Sequence, residues 1–304
     1  MSVNGIAMTD RDLLYFEQLK SLDSTALKVA WRAIFKSAPP RAAHKEFFVR
    51  FLAHEFQVRM HGGLRKSSLK TLSESDQATL VAFGQANNLA IYLQPGGISS
   101  VHPLWPESPR LAFRIAADDD RTHDVELEFR PLDFVQVNAG MNQRMMSRAM
   151  ALLDPQPNDR VLDLFCGLGN FTLPIARRVA EVAGVEGEHG LVERAGANAA
   201  RNGIANAQFH VANLFEDQRH AAWAREPWSK LLLDPPRAGA DKVLEYLPHR
   251  ETQRIVYVSC HPGSLARDAG ILVQKHGFRL ASAGVMDMFP HTAHVESIAV
   301  FDRD

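Results

Sequence analysis

The stretch VLDLFCGLGNF, residues 161–171, is the most informative guide to the fold of this chain. Its first half, VLDLF, has the continuous apolar character of a strand that is buried in a parallel sheet. Its second half contains two glycines, and such a turn lets backbone N–H groups approach a ligand closely before a helix begins. Only Gly167 and Gly169 are present, and Thr172 stands where a dinucleotide motif has its third glycine, so the turn alone does not identify a nucleotide.

Strands and helices alternate around this stretch from Gln136 onward. This alternation predicts a doubly wound, Rossmann-like α/β sheet over residues 136–304. The predicted helices are Gln143–Leu153, Thr172–Val179 and His189–Asn202. The predicted strands are Arg160–Leu164, Glu181–Val185, Ala207–Val211, Lys230–Leu233, Arg254–Val258 and Ser297–Phe301.

The residues before Gln136 have a different character. Residues 1–72 are predicted to form an all-α segment, with Trp31 and several phenylalanines on the inner helix faces. Residues 73–135 are predicted to be a small β-rich region that follows a helix over Glu74–Asn87. We therefore expect three domains, at 1–72, 73–135 and 136–304.

Two further strand ends carry polar side chains that suit a cofactor. Glu186 follows the strand VAGVE, where a carboxylate can accept hydrogen bonds from ribose hydroxyls. Asn213 follows FHVAN, where an amide can read an adenine edge or simply close a turn. Bulky Leu168 and Phe171 beside the glycines leave no evident pyrophosphate site. These features favour S-adenosyl-L-methionine over NAD.

Two more strand ends carry reactive groups. Asp234 opens the sequence Asp-Pro-Pro-Arg after an apolar run, and Cys260 follows the run IVYVS. A thiol at such an edge is a candidate nucleophile. Methylation of a pyrimidine at C5 needs a thiolate to attack C6, a methyl donor, and a base to remove the C5 proton. Cys260 and Glu296 suit the thiolate and the base.

Five motifs together resemble the RNA uracil-C5 methyltransferases, and within them the type that forms 5-methyluridine in 23S ribosomal RNA. They are FVQVN (134–138), DLFCGLGNF (163–171), DPPRAG (234–239), YVSC (257–260) and MFPHTAHVES (288–297). The resemblance covers residues 77–304 and implies that Cys260 is the nucleophile and Glu296 the base. It also implies an S-adenosylmethionine pocket lined by Gln136, Phe165, Asn170, Glu186, Asn213 and Asp234. The family pattern has Asn and Thr where this chain has His261 and Ser264.

The N-terminal part departs from this family, whose relatives of this type carry a β-barrel RNA-binding domain and four cysteines that hold an iron–sulfur cluster. Residues 10–72 instead resemble a small uncharacterised helical family found in phage-related genes. With two cysteines in the chain, no iron–sulfur cluster and no other metal site are expected. Residues 10–72 hold 12 Lys and Arg against 6 Asp and Glu, which predicts either a contact with nucleic acid or a solvated helical surface.

Composition narrows the class of protein. Hydrophobic residues make up 46% of the 304 residues, and no apolar run approaches the roughly 20 residues of a membrane span. The N-terminus lacks the pattern of a secretory signal, so a cytoplasmic protein without membrane contact is expected. Three functions remain open: a 23S rRNA uracil-C5 methyltransferase, a tRNA enzyme of the same chemistry, and a catalytically silent binding protein that has lost its RNA-targeting domain.

Overall fold

The structure, a computed structural model, describes residues 17–35, 38–39, 44–49, 52–53, 72–117, 123–288, 292 and 295–303, with the backbone of 2–3 and 6–7. It divides into two compact units, residues 1–109 and 110–304. The domain boundaries at residues 72 and 135 stay predictions. Among the described residues, no helix combines the length and the apolar character that crossing a membrane requires.

The first unit contains short strands as well as helices. Its elements are β1 (Ser2–Val3), β2 (Ile6–Ala7), α1 (Ser24–Phe35), α2 (Glu74–Asn87), β3 (Ile91–Leu93) and β4 (His102–Trp105). The segment predicted to be all-α therefore also holds an antiparallel pair, β1 with β2. Residues 54–71 of the segment predicted to be all-α lie outside the described residues.

An aromatic cluster forms the core of the helical segment. Trp31 on α1 is buried and lies 5.6 Å from Phe48, measured between ring centroids, in an edge-to-face arrangement. Leu27, one turn earlier, is fully buried in the same cluster. The Asp23 carboxylate caps α1 by accepting a hydrogen bond from the backbone N–H of Ala26 at 2.7 Å. The predicted inward face of α1 is thus confirmed.

The second unit is built on one seven-stranded sheet with the order β12-β13-β11-β10-β7-β8-β9. Its strands are β7 (Arg160–Leu164), β8 (Glu181–Glu186), β9 (Ala207–Val211), β10 (Lys230–Leu233), β11 (Arg254–Ser259), β12 (Arg279–Met286) and β13 (Glu296–Asp302). The strands from β7 to β11 are parallel, whereas β13 pairs antiparallel with both β11 and β12. A separate hairpin, β5 (Leu111–Ile115) with β6 (Val125–Phe129), precedes the sheet.

Among the described residues of this unit, three helices correspond to predicted ones, and Ala222–Arg225 and Pro262–Gln274 were not predicted. The α-helices are α3 (Ala139–Leu153), α4 (Thr172–Ala176), α5 (His189–Arg201), α6 (Ala222–Arg225) and α7 (Pro262–Gln274). Helix α3 begins earlier than predicted because the Asn138 side chain caps it, accepting from the N–H of Met141 at 3.1 Å. Helix α4 is shorter than predicted and ends at Ala176.

Successive residues of the central strands enter different cores on the two faces of the sheet. Val161 belongs to one buried cluster, and Leu162 and Leu164 belong to the other. A strand buried on both faces has no polar side to display, which explains its continuous apolar run. Strand β7 lies between β8 and β10, and the strand order reverses there. The carboxyl ends of these strands therefore border a crevice.

Candidate active site

A pocket of about 450 Å³ lies at the carboxyl ends of the parallel strands. The structure brings all eight predicted site residues into its wall. They are Gln136, Phe165, Asn170, Glu186, Asn213, Asp234, Cys260 and Glu296. These residues come from the segment before α3, from the carboxyl ends of the five parallel strands and from the start of β13, so separated parts of the sequence meet at one place.

The turn after β7 adopts the backbone conformation for which its glycines are suited. Gly167 and Gly169 have φ angles of 55° and 96°, in the left-handed region that favours glycine. Phe165 also has a positive φ, 65°, which is uncommon for a bulky residue and indicates a conformation imposed by its surroundings. The backbone N–H groups of Phe165 and Cys166 both bond to the carbonyl of Val185, at 2.9 and 3.1 Å, and anchor the turn on β8.

Glu186 is held by backbone donors at the end of β8. One carboxylate oxygen accepts from the N–H of Gly167 at 3.2 Å, and the other accepts from the N–H of Gly187 at 2.7 Å. Asn213 closes the turn after β9, since its side chain accepts from the N–H of Phe215 and donates to Glu216. Glu186 thus links the turns after β7 and β8, whereas Asn213 lies exposed at the pocket margin.

Asn170, in the pocket wall, forms a reciprocal amide pair with Asn142. Each donates its amide N–H to the other's oxygen, at 3.2 and 3.3 Å. Asn142 lies on α3, so the pair joins the glycine turn to that helix. Asn138, at the start of the same helix, donates to the carbonyl of Met288 at 3.1 Å. Helix α3 is thereby bonded both to the glycine turn and to Met288.

The reactive groups share a poorly solvated environment. Burial raises the pKa of the Cys260 thiol, and the negative charges of Glu296 and Asp234 raise it further, against an opposing effect of Arg237. Burial raises the pKa of Glu296, and burial with the nearby Glu296 charge raises that of Asp234 to about 7. Burial therefore disfavours the charged forms of Cys260, Glu296 and Asp234 in this pocket.

Asp163, inside the strand that leads to the glycine turn, is fully buried. Burial raises its pKa to about 8, with further increases from the charges of Asp234 and Glu186 and an opposing hydrogen bond from Thr172. Its second carboxylate oxygen has no hydrogen-bond partner. The protonation state of Asp163 therefore changes with pH close to neutrality, although Asp163 itself does not line the pocket.

His261 and Ser264, the two departures from the family pattern, cap helix α7. The His261 ring accepts a hydrogen bond from the backbone N–H of Ser264 at 3.1 Å, and the Ser264 hydroxyl donates to the carbonyl of His261 at 2.9 Å. Both substitutions thus fit the turn that presents Cys260. Sequence reasoning had no signal for Phe113, which lines the pocket from the distant strand β5. His291 and His294 of the motif MFPHTAHVES lie outside the described residues.

Comparison with known proteins finds two families in the chain. A model of the family described as tRNA (Uracil-5-)-methyltransferase matches residues 119–304. A family of unknown function, DUF2924, matches residues 15–99.

Named relatives and a solved structure agree with the first match. The 23S rRNA (uracil(1939)-C(5))-methyltransferase RlmD of Xanthomonas campestris is 64% identical over 313 residues, covering 99% of this chain and 68% of that protein. RlmD of Xanthomonas oryzae is 64% identical over 235 residues, covering 77% of this chain and 52% of that protein. The crystal structure of Pyrococcus abyssi tRNA (uracil-54, C5)-methyltransferase with S-adenosyl-L-homocysteine has a TM-score of 0.56 and 27% identity, covering 70% of this chain and 50% of that chain.

These matches confirm the resemblance predicted from the five motifs and the doubly wound methyltransferase fold. The chain spans about two thirds of the Xanthomonas campestris protein and about half of the Xanthomonas oryzae protein. The sequence, the fold and these matches together place this chain in the RNA uracil-5-methyltransferase family.

Proposed function

We propose that this protein methylates C5 of a uracil in 23S ribosomal RNA, with S-adenosyl-L-methionine as the methyl donor. The observation that supports this most directly is the presence of a thiol, Cys260, and a carboxylate, Glu296, in the same pocket as Glu186 and the glycine turn. The 64% identity to proteins named as 23S rRNA uracil-C5 methyltransferases supports the choice of RNA. A protein with this substrate acts in the cytoplasm, where ribosomal RNA is found in bacteria.

The roles of the two reactive residues follow from the chemistry of the ring. The Cys260 sulfur adds to C6, and the electron pair of the C5–C6 bond moves toward C5 and the O4 carbonyl, so that C5 becomes nucleophilic. Bound S-adenosylmethionine supplies an electrophilic methyl group. Glu296 then removes the proton from C5, and the returning electron pair expels the sulfur as thiolate and restores the double bond.

The charges of the pocket suit a sulfonium donor. Among the residues that line it, Glu186, Asp234 and Glu296 are acidic, and Arg237 is the basic residue. A pyrophosphate brings negative charge and requires donors and cations, whereas a sulfonium is positive and is favoured by carboxylates. The apolar walls, which include Phe165 and Leu168, suit a nucleoside and its short side chain. Glu186 is placed to accept from ribose hydroxyls, and we assign Gln136, Phe165, Asn170, Asn213 and Asp234 to the same cofactor site.

Two finer assignments belong to this proposal. The basic segment at residues 10–72 contacts RNA and assists its capture. The chain itself supplies no iron–sulfur cluster, because both of its cysteines, Cys166 and Cys260, lie in the pocket wall.

A covalent trapping experiment tests the proposal. RNA that contains 5-fluorouridine cannot lose a C5 proton, so an active enzyme that has transferred the methyl group stays bonded to the ring through Cys260. The protein is mixed with S-adenosylmethionine and either a fluorinated 23S rRNA fragment or a fluorinated tRNA, and adducts are separated by denaturing electrophoresis. An adduct with the rRNA fragment is expected.

Two variants control the trapping experiment. Cys260→Ala is expected to give no adduct and to bind cofactor with nearly wild-type affinity in calorimetry, whereas Cys166→Ala is expected to retain the adduct at saturating cofactor. Adducts with tRNA alone would favour the tRNA enzyme. Cofactor binding without any adduct would favour the silent binding protein.

A further inference from the structure

One face of helix α5, continued by its C-cap residue, carries three polar residues at successive turns, Arg194, Asn198 and Asn202. Residues four apart lie above one another on a helix, so the three side chains form a row. These side chains form hydrogen bonds to strand β6 and to the loop that follows it in sequence. Arg194 donates to Asp133 of that loop at 2.5 Å, and both side chains are largely buried.

The two asparagines bind the free edge of β6 as a neighbouring strand would. Asn202 accepts from the backbone N–H of Glu126 at 2.9 Å and donates to the carbonyl of the same residue at 2.8 Å. Asn198 makes the same pair of bonds to Glu128, at 2.9 and 3.1 Å. Each amide thus satisfies one backbone donor and one backbone acceptor of β6. These backbone groups are therefore not available to pair with another strand.

The asparagines differ in their remaining donor bond. Asn202, the C-cap of α5, donates to the carbonyl of Asn198 in that helix at 2.8 Å. Asn198 donates to the carbonyl of Leu168 at 3.3 Å, and Leu168 lies between Gly167 and Gly169 in the turn that lines the pocket. Only 1% of Asn198 is exposed, so water cannot replace a bond that is lost there.

We propose that Asn198 is a positioning residue for the cofactor turn. It ties the Leu168 carbonyl to the backbone of β6 and so fixes the peptide orientation between two glycines that have wide conformational freedom. The turn is then already ordered in the folded protein, so the entropic cost of ordering it does not reduce the affinity for the cofactor. This inference rests on the proposed function, because it assigns Asn198 to the binding of S-adenosylmethionine.

Asn198→Ala and Asn202→Ala are a matched pair for the test. Each removes one two-point bond to β6, but only Asn198→Ala also releases the Leu168 carbonyl. Affinity for S-adenosylmethionine is measured by calorimetry on the full chain, with urea unfolding as a measure of stability. The Kd is expected to rise about tenfold in Asn198→Ala, equivalent to about 1.4 kcal/mol, and to change less than about twofold in Asn202→Ala. Equal changes in the two variants would assign Asn198 to fold stability alone and overturn the proposal.

Hydrogen exchange without cofactor separates this inference from the proposed function. The backbone amides of residues 167–171 are expected to exchange at least about tenfold faster in Asn198→Ala than in wild type, and at the wild-type rate in Asn202→Ala. If the wild-type protein bound no S-adenosylmethionine, the proposed function would fail, and with it the assignment of Asn198 to cofactor binding. The exchange rates would still decide whether Asn198 orders the turn. If Asn198→Ala does not fold, Asn198→Asp and Asn202→Asp replace the pair, since aspartate keeps the acceptor for the strand N–H and lacks the amide donors.

Discussion

Cys260 lies in surroundings that disfavour its reactive form. The thiolate is the nucleophile, yet burial and the charges of Glu296 and Asp234 raise the pKa of the thiol. Arg237 opposes this effect from the same pocket. The charge balance around the sulfur therefore controls how much thiolate is present at a given pH, and removal of one carboxylate changes that balance.

Glu296→Gln is expected to make Cys260 ionise at lower pH. The substitution removes a negative charge that raises the pKa of the thiol, so the thiolate fraction at pH 8 should increase. The rate of iodoacetamide alkylation, followed by mass spectrometry from pH 6 to 10, reports this ionisation. An unchanged midpoint would show that the Glu296 charge does not act on Cys260. Cys166 is buried and is expected to react slowly in both proteins, which makes it an internal control.

Asp163 should make the free energy of unfolding depend on pH in an unusual direction. Its pKa is about 8 in the folded protein and 3.8 as the ordinary value, so between these pH values the folded state holds a proton that the unfolded state has lost. The stability due to this proton is fully present below pH 3.8 and is lost as pH rises toward 8.

Asp163→Asn is expected to remove this fall in unfolding free energy with rising pH. Relative to the variant, wild type should lose up to about 1.4 kcal/mol of unfolding free energy per pH unit between pH 5 and 8, measured by urea denaturation. Asp159→Asn is the control, because the pKa of Asp159 is lowered in the folded protein and its effect should be constant over this range. Parallel pH profiles for wild type and Asp163→Asn would contradict the assignment.

The packing of β8 against its neighbours leaves no room for a side chain at Gly184. A Cβ atom there would lie 2.9 Å from the sulfur of Cys166 and 2.9 Å from the ring of Phe209. Gly196 on helix α5 has nothing within 4 Å of the same position. The two glycines therefore have different reasons to be present, although both lie inside regular elements.

Alanine at these two positions is expected to change the free energy of unfolding in opposite directions. Gly184→Ala should lower the free energy of unfolding by about 1–3 kcal/mol through overpacking. Gly196→Ala should raise it by about 0.5–1 kcal/mol, because alanine loses less backbone entropy in a helix. Thermal and urea denaturation measure both. A neutral Gly184→Ala would mean that Cys166 and Phe209 can move aside.

The elements that sequence patterns predicted best are those with a continuous or alternating apolar run. Strands β7, β9 and β10 have the predicted bounds. Strand β12 was missed, since residues 279–285 are all exposed and RLASAGV shows neither a buried run nor a clean alternation. Helix α7 was also missed, and its start depends on a histidine cap that propensity alone does not suggest.

The chain combines two units of different character. All residues that line the pocket belong to the unit from 110 to 304, whereas the basic segment belongs to the unit from 1 to 109. Cofactor binding and the proposed contribution of the basic segment to RNA capture therefore involve different residues and are expected to be separable by mutation.

Lys28→Glu combined with Arg32→Glu, both on α1, is expected to weaken RNA binding without changing cofactor affinity. The slope of log affinity against log salt concentration should become shallower by about 1–2, as expected when one or two phosphate contacts are lost. Filter binding at several salt concentrations measures this, and calorimetry measures the cofactor. The control is Arg225→Glu with Arg279→Glu, at the edge of the sheet opposite the pocket. An equal loss in both double variants would indicate a non-specific effect of charge.

Local patterns were enough to predict every strand of the sheet except β12, together with the side chains at the carboxyl ends of the parallel strands. Burial imposes an apolar run on each central strand, and parallel strands end at one edge, so Asp234 and Cys260 were expected together from the chain alone. Other features depend on how distant segments pack. The bond from Asn198 to Leu168, the entry of Phe113 into the pocket, and the raised pKa values of Cys260 and Asp163 require contacts between residues far apart in sequence. Periodicity reports which face of an element is buried, but it does not report what that face meets.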